Sequence, residues 1–142
     1  MRIQQKIRTF YQISFRRKYL VLVTFMLSLY SNLLFRFFRK NAIFGKRHEA
    51  PLPDFTDMAL VRDISFAIRI VKRYAPWTNV CRHEAYQAKV LCRFYNIPYQ
   101  IFVGFRKDTN GQIEGHAWTT VNQEIITGFC RPEDFVVQYI YS

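Results

Sequence analysis

Cys81 and His116 are the two side chains whose type and position suit nucleophilic chemistry in this chain. Cys81 stands in "APWTNVCRHEAYQAKVLCRFYN", where Pro76 breaks one pattern and Thr78 or Asn79 offers an N-cap for the helix that follows. A thiolate is the nucleophilic form of cysteine, and the unpaired N–H groups and positive dipole end of a first helical turn stabilise it. An imidazole alongside completes the activation as a thiolate–imidazolium pair, and the Cys81 N–H can help hold a tetrahedral oxyanion. His116, in "IEGHAWTTVNQEIITGF", is the candidate base. Taken singly, each has a plainer reading. A cysteine at a helix start is more often a small buried hydrophobe, and a histidine in a half-buried sheet can be a satisfied structural residue.

The other cysteines are weaker candidates. Cys92 lies deeper in the same helix and reads as core, and Cys130 stands beside Arg131-Pro132 in an expected loop. Three cysteines without close paired spacing fit a reducing cytosol better than a secreted disulfide framework. Cys81, His83 and His116 offer a metal only a C-x-H pair, with no Cys-x-x-Cys and no His-x-x-x-His. Neither a metal nor a cofactor is expected.

Hydrophobic periodicity supplies the elements that must position these residues. In "TDMALVRDISFAIRIVKRY", Met58, Val61, Ile68 and Val71 fall on one side, Thr56 offers an N-cap, and Lys72 and Arg73 suit the negative end of a helix dipole. Cys81, Ala85, Ala88, Cys92 and Tyr95 recur at intervals of four and three, which puts Cys81 on the inward stripe of the next helix. After Pro98 the period becomes two. "YQIFVGF", "GHAWTTV", "EIITGF" and "FVVQYIY" read as strands, with Asn110-Gly111 as a hairpin signal. Helices followed by an antiparallel sheet make an α+β fold.

Composition bounds the rest. With 142 residues, half of them hydrophobic, and only five Gly and five Pro, the chain suits one compact core rather than a disordered or fibrous state. The net charge of +11 is uneven: residues 1–47 carry eleven Lys or Arg and no acid. An anionic neighbour for that segment, or simply a solvated basic face, follows. A basic amphipathic helix is expected over about the first 17 residues, and an apolar helix from there to about Phe38. Its charge-free stretch, Tyr19 to Phe35, reaches the lower limit for a membrane span. Thr24, Ser28, Ser31 and Asn32 interrupt it, so a buried or interfacial helix is expected instead. No small-residue cleavage site follows, so no secretory signal is expected. Gly45 to Phe55 reads as a linker, which divides the chain into a helical segment, 1–47, and a main domain, 48–142.

The ordered set P-W-x-x-x-C, a following helix with alanine, leucine and arginine positions, Ile97-Pro98, V-G-F-R-K and H-A-W runs from about Ala75 to Phe129. It resembles the transglutaminase-like cysteine peptidases of lasso peptide biosynthesis, the microcin-processing B protein family in its stand-alone form. The resemblance implies a papain-like or transglutaminase-like core, a Cys-bearing helix packed on an antiparallel sheet. It also implies Cys81 as nucleophile and His116 as base, acting to cut the leader from a ribosomally made precursor peptide. A separate leader-binding recognition protein and an ATP-dependent cyclase are implied as partners, in a cytoplasmic setting. The placement of charge, separately, suggests that the basic N-terminal third docks on proteins or on the inner membrane surface. A catalytically weak transglutaminase-like scaffold in a maturation complex is the alternative. Nucleic acid ranks below both, because no reading motif accompanies the basic segment.

Many members of that family orient the histidine with an aspartate on the following strand, and here no Asp lies between His116 and Asp134. If Asn122-Gln123 is a two-residue turn, Val121 pairs with Glu124, Trp118 with Thr127 and His116 with Phe129, which puts Thr127 on the His116 face. Thr127 is therefore the expected third member, accepting from the imidazole without supplying charge. Asn122 is the alternative if the turn is longer.

Overall fold

A computed structural model of the chain describes residues 12–37, 44–47 and 52–142. Among them are three helices, α1 (Phe15–Phe37), α2 (Met58–Tyr74) and α3 (Cys81–Phe94). Four strands follow, β1 (Gln100–Lys107), β2 (Ile113–Val121), β3 (Glu124–Thr127) and β4 (Val136–Tyr141), with a short 3-10 turn at Pro132–Asp134. The strands form one antiparallel sheet in the order β3-β2-β1-β4. This is the α+β arrangement that the change of period predicts. The expected basic helix of the first 17 residues lies largely outside the described residues; α1 starts only after a break at Ile13 and Ser14.

Leu60, Val61, Ile64, Ala67, Ile68 and Val71 form the buried stripe of α2. Each fully buried aliphatic side chain contributes about 1.5–3 kcal/mol, which ties the helix to the sheet. Its N-cap is Asp57 rather than the expected Thr56: Asp57 Oδ1 accepts from the Leu60 N–H at 3.1 Å. A carboxylate there also meets the positive end of the helix dipole, which a hydroxyl does not.

Each sheet face has its own partner. Ile101 of β1 and Ala117 and Val121 of β2 join the core built with Ala85, Ala88 and Cys92 of α3. Phe102, Gly104, His116 and Trp118 occupy the other face, with Phe102 opposite Trp118 and Gly104 opposite His116. There Phe102 stacks on Trp118 at 5.5 Å between centroids, and Phe135 closes over Trp118 at 5.8 Å. Gly104 is required by this crowding, since a Cβ would come within 3.2 Å of Phe135, Val136 and Trp118 atoms.

The β2–β3 turn is the expected two-residue one. Asn122 (φ 49) and Gln123 (φ 66) both take positive φ, as a type I′ turn demands, and Val121 pairs with Glu124. Past Ile125 the expected register fails. Thr120 pairs with Ile125 but Thr119 pairs with Thr127, so β3 carries one extra residue, a bulge at Ile126. Directly opposed residues share a face, so Thr127 turns to the face of Thr119 and Ala117, away from Trp118 and His116.

Candidate active site

Cys81 is the first residue of α3, as its spacing predicts, but neither Thr78 nor Asn79 caps that helix. Val80 stands at the N-cap, and its side chain holds no acceptor for the N–H groups of the first turn. The reciprocal half of a capping box is present instead: His83 Nδ1 accepts from the Val80 N–H at 3.2 Å, and the His83 N–H bonds to Val80 O at 2.9 Å. The backbone entering Cys81 is thereby fixed, while the dipole end beside its thiol is left free of a capping side chain. With Nδ1 accepting, the neutral His83 ring carries its proton on Nε2. Burial, with the charge of Arg82, holds its pKa below the ordinary imidazole range against an opposing contribution from the Val80 backbone, and so favours the neutral ring.

The segment before Cys81 is held by α1. Trp77 Nε1 donates to Ser28 Oγ at 2.9 Å, and its ring packs on Phe25 at 5.1 Å. Asn32 Nδ2 donates to Thr78 O at 3.0 Å, and Gln87 Nε2 donates to Asn79 Oδ1 at 3.1 Å. Asn79 thus serves α3 from outside the cap. Behind this turn, the buried carboxylate of Glu84 is paired with Lys72 Nζ at 2.6 Å, linking α3 to α2. The tryptophan, the following loop and the cysteine are one hydrogen-bonded unit seated on the polar side of α1.

His116 lies near the start of β2, half-buried between aromatic rings, stacked with Phe135 at 5.4 Å and with Trp118 at 6.2 Å. Its Nε2 is 2.8 Å from Gly128 O. A carbonyl only accepts, so Nε2 carries the proton and Nδ1 holds the lone pair in the neutral ring. Gly128 is fitted for this contact: its φ is +66°, and a Cβ would lie 2.2 Å from Ala117 O. Among the described residues no hydrogen bond joins Cys81 Sγ to the ring, and no carboxylate bonds to it.

The two side chains expected to orient His116 do other things. Thr127 Oγ1 is buried without a hydrogen-bond partner, because the bulge at Ile126 has turned it off the His116 face. Asn122 sits in the turn just past the far end of β2, six residues and about 20 Å of extended chain from His116. It accepts from the Phe55 N–H at 2.8 Å and donates to Phe55 O at 2.6 Å, which fixes the linker to the sheet. The group that bonds to the ring is the Gly128 carbonyl, which belongs to the main chain.

Cys130 lies outside the named strands, in the loop its position predicts. It is partly exposed, two residues beyond Gly128. Burial raises its pKa, Glu133 raises it further, Arg106 opposes, and Asp134 and Cys81 add to the rise. Cys92 is core, as its position predicts, and burial pushes its thiol up to about 12. On the same side of the sheet, Arg106 pairs with Glu114 at 2.8 Å and lies over the Phe135 ring, bracing the residue that stacks on His116.

No curated protein and no solved structure matches the chain. A family model does. Residues 25–139 match that of the transglutaminase-like superfamily, a stretch that begins in α1 and ends in β4 and so takes in Cys81, His116 and everything described as holding them. The chain belongs to the transglutaminase-like superfamily.

Proposed function

We propose that the protein is a cysteine peptidase that cuts the leader from a ribosomally made, lasso-type precursor peptide. The observation that carries the catalytic part is the commitment of His116 Nε2 to Gly128 O. It fixes the tautomer in which Nδ1 is the free base, in a fold that starts a helix with Cys81. In this reading His116 takes the thiol proton and the Cys81 thiolate attacks the scissile carbonyl. The imidazolium then protonates the departing amine, and water releases the leader from the thioester. The uncapped first turn of α3, with the Cys81 N–H, is suited to the oxyanion of the tetrahedral intermediate. The lasso-type substrate, the separate leader-binding protein and the downstream cyclase rest on the ordered sequence motifs.

A second reading has one observation in its favour. No carboxylate supports His116 among the described residues, and a scaffold without turnover would not need one. Replacing Cys81 by Ala and following precursor cleavage, with the leader-binding protein present, separates the two. A peptidase loses cleavage with Cys81→Ala; a scaffold retains whatever maturation it supports.

A further inference from the structure

Helix α1 is inside out. A helix on the surface of a globular domain turns its apolar stripe inward and its polar residues to water. Here the buried positions are Leu20, Thr24, Ser28 and Ser31, three of them hydroxyl residues. The exposed positions include Tyr19, Leu22, Met26, Leu29, Tyr30 and Leu33, with Phe15 and Phe37 at the two ends. This outward stripe is about 33 Å long at helical rise. The helix is long and apolar enough to cross a membrane, but it is tied to the rest of the domain along its inner side. Its inner side is joined to α2 by Arg16 and Arg17 on Asp63, and to the loop before Cys81 by Ser28 and Asn32. Crossing would drag the charged helix α2 into hydrocarbon.

We infer that α1 lies flat in the interface of an anionic phospholipid membrane, its outward apolar stripe in the acyl boundary. Charge selects this occupant over a second copy of the chain. Residues 1–47 hold eleven Lys or Arg and no acid, so stripe-to-stripe pairing would bring two strongly basic segments together. An anionic leaflet attracts the same segment, and Arg36 stands exposed beside the stripe to meet it. Tyr19 and Tyr30 have the amphipathic rings that suit the headgroup level. Because α1 also holds Trp77 and Thr78, the candidate site is carried at a fixed distance from the membrane.

Co-sedimentation of the full chain with vesicles tests this, and it reads binding without catalysis, so it is independent of the proposed peptidase activity. The protein is expected to sediment with phosphatidylcholine–phosphatidylglycerol vesicles, to do so less with phosphatidylcholine alone, and to be released as salt rises. The triple variant Leu22→Gln, Met26→Gln, Leu33→Gln, altered only on the exposed face, should bind about tenfold more weakly or worse with unchanged circular dichroism. Should that variant fail to fold, Arg36→Glu tests the charge alone, with an expected loss of about fivefold or more on anionic vesicles. Failure of the wild-type chain to sediment with anionic vesicles overturns the inference. So does undiminished binding by a folded triple variant or by Arg36→Glu. A lipid-free dimer that the triple variant converts to monomer, without vesicle binding, assigns the stripe to a second copy instead.

Discussion

His116 Nε2 and Gly128 O lie 2.8 Å apart, so the ring nitrogen that a triad gives to a carboxylate is here given to the main chain. The carbonyl fixes ring orientation and tautomer as a carboxylate would. It supplies a partial charge only, and so stabilises an imidazolium less. The stacked rings of Phe135 and Trp118 add to the orientation of the same imidazole without supplying charge.

On the proposed mechanism, main-chain orientation of His116 makes Thr127 dispensable. Its hydroxyl is buried without a partner, so Thr127→Val removes an uncompensated polar group and keeps the shape. Melting temperature should hold or rise slightly, and kcat/KM on the precursor should stay within about threefold. His116→Ala, by contrast, should lower it about a thousandfold. A hundredfold loss in Thr127→Val would return Thr127 to the catalytic set.

Gly128 is the position where side-chain chemistry matters least and backbone conformation most. Gly128→Ala places a Cβ against Ala117 O at a residue with φ of +66°. The expected cost is about 2–4 kcal/mol of stability. Displacement of the carbonyl from His116 should lower kcat in the surviving folded protein, with KM little changed. Chemical denaturation alongside single-turnover kinetics separates the two effects.

The elements were legible because they rest on local period. The α2 stripe, the Cys81 helix, the hairpin at Asn122-Gln123 and the α+β order all follow from spacings of three to four, or of two, over several residues. What was not legible depends on one-residue events. The bulge at Ile126 reverses the face of Thr127, and nothing in "EIITGF" marks it. Val80 as N-cap was hidden behind two better capping residues, one of which bonds to Gln87 instead. The group that bonds to His116 belongs to the backbone.

The link between α1 and the residues before Cys81 should be measurable as a coupling energy. Ser28→Ala leaves the Trp77 indole N–H without its acceptor, and Trp77→Phe leaves the Ser28 hydroxyl without its donor. Each single change should cost about 1 kcal/mol or more, and a double-mutant cycle should return a coupling of about 0.5–1.5 kcal/mol. Additive single effects, measured by urea denaturation, would mean that Ser28 does not hold Trp77 in solution.

The cap beneath Cys81 should make stability pH-dependent through His83. Its folded pKa lies below the ordinary 6.5, chiefly because burial disfavours the charged ring. The unfolded chain therefore binds more protons than the folded one as pH falls past 6.5, and the contribution is fully present only above that value. It is lost as pH falls from 6.5 through the lowered folded value, where a protonated Nδ1 can no longer accept from the Val80 N–H. His83→Gln keeps an acceptor for that N–H without a titrating ring. Thermal melts between about pH 8 and about pH 5 should show the wild type losing more stability than His83→Gln below 6.5. His48 and His116 are present in both proteins, so the difference between the two profiles isolates His83. Parallel profiles would show that His83 does not titrate against the cap, and the fixed backbone at Cys81 would then need another cause.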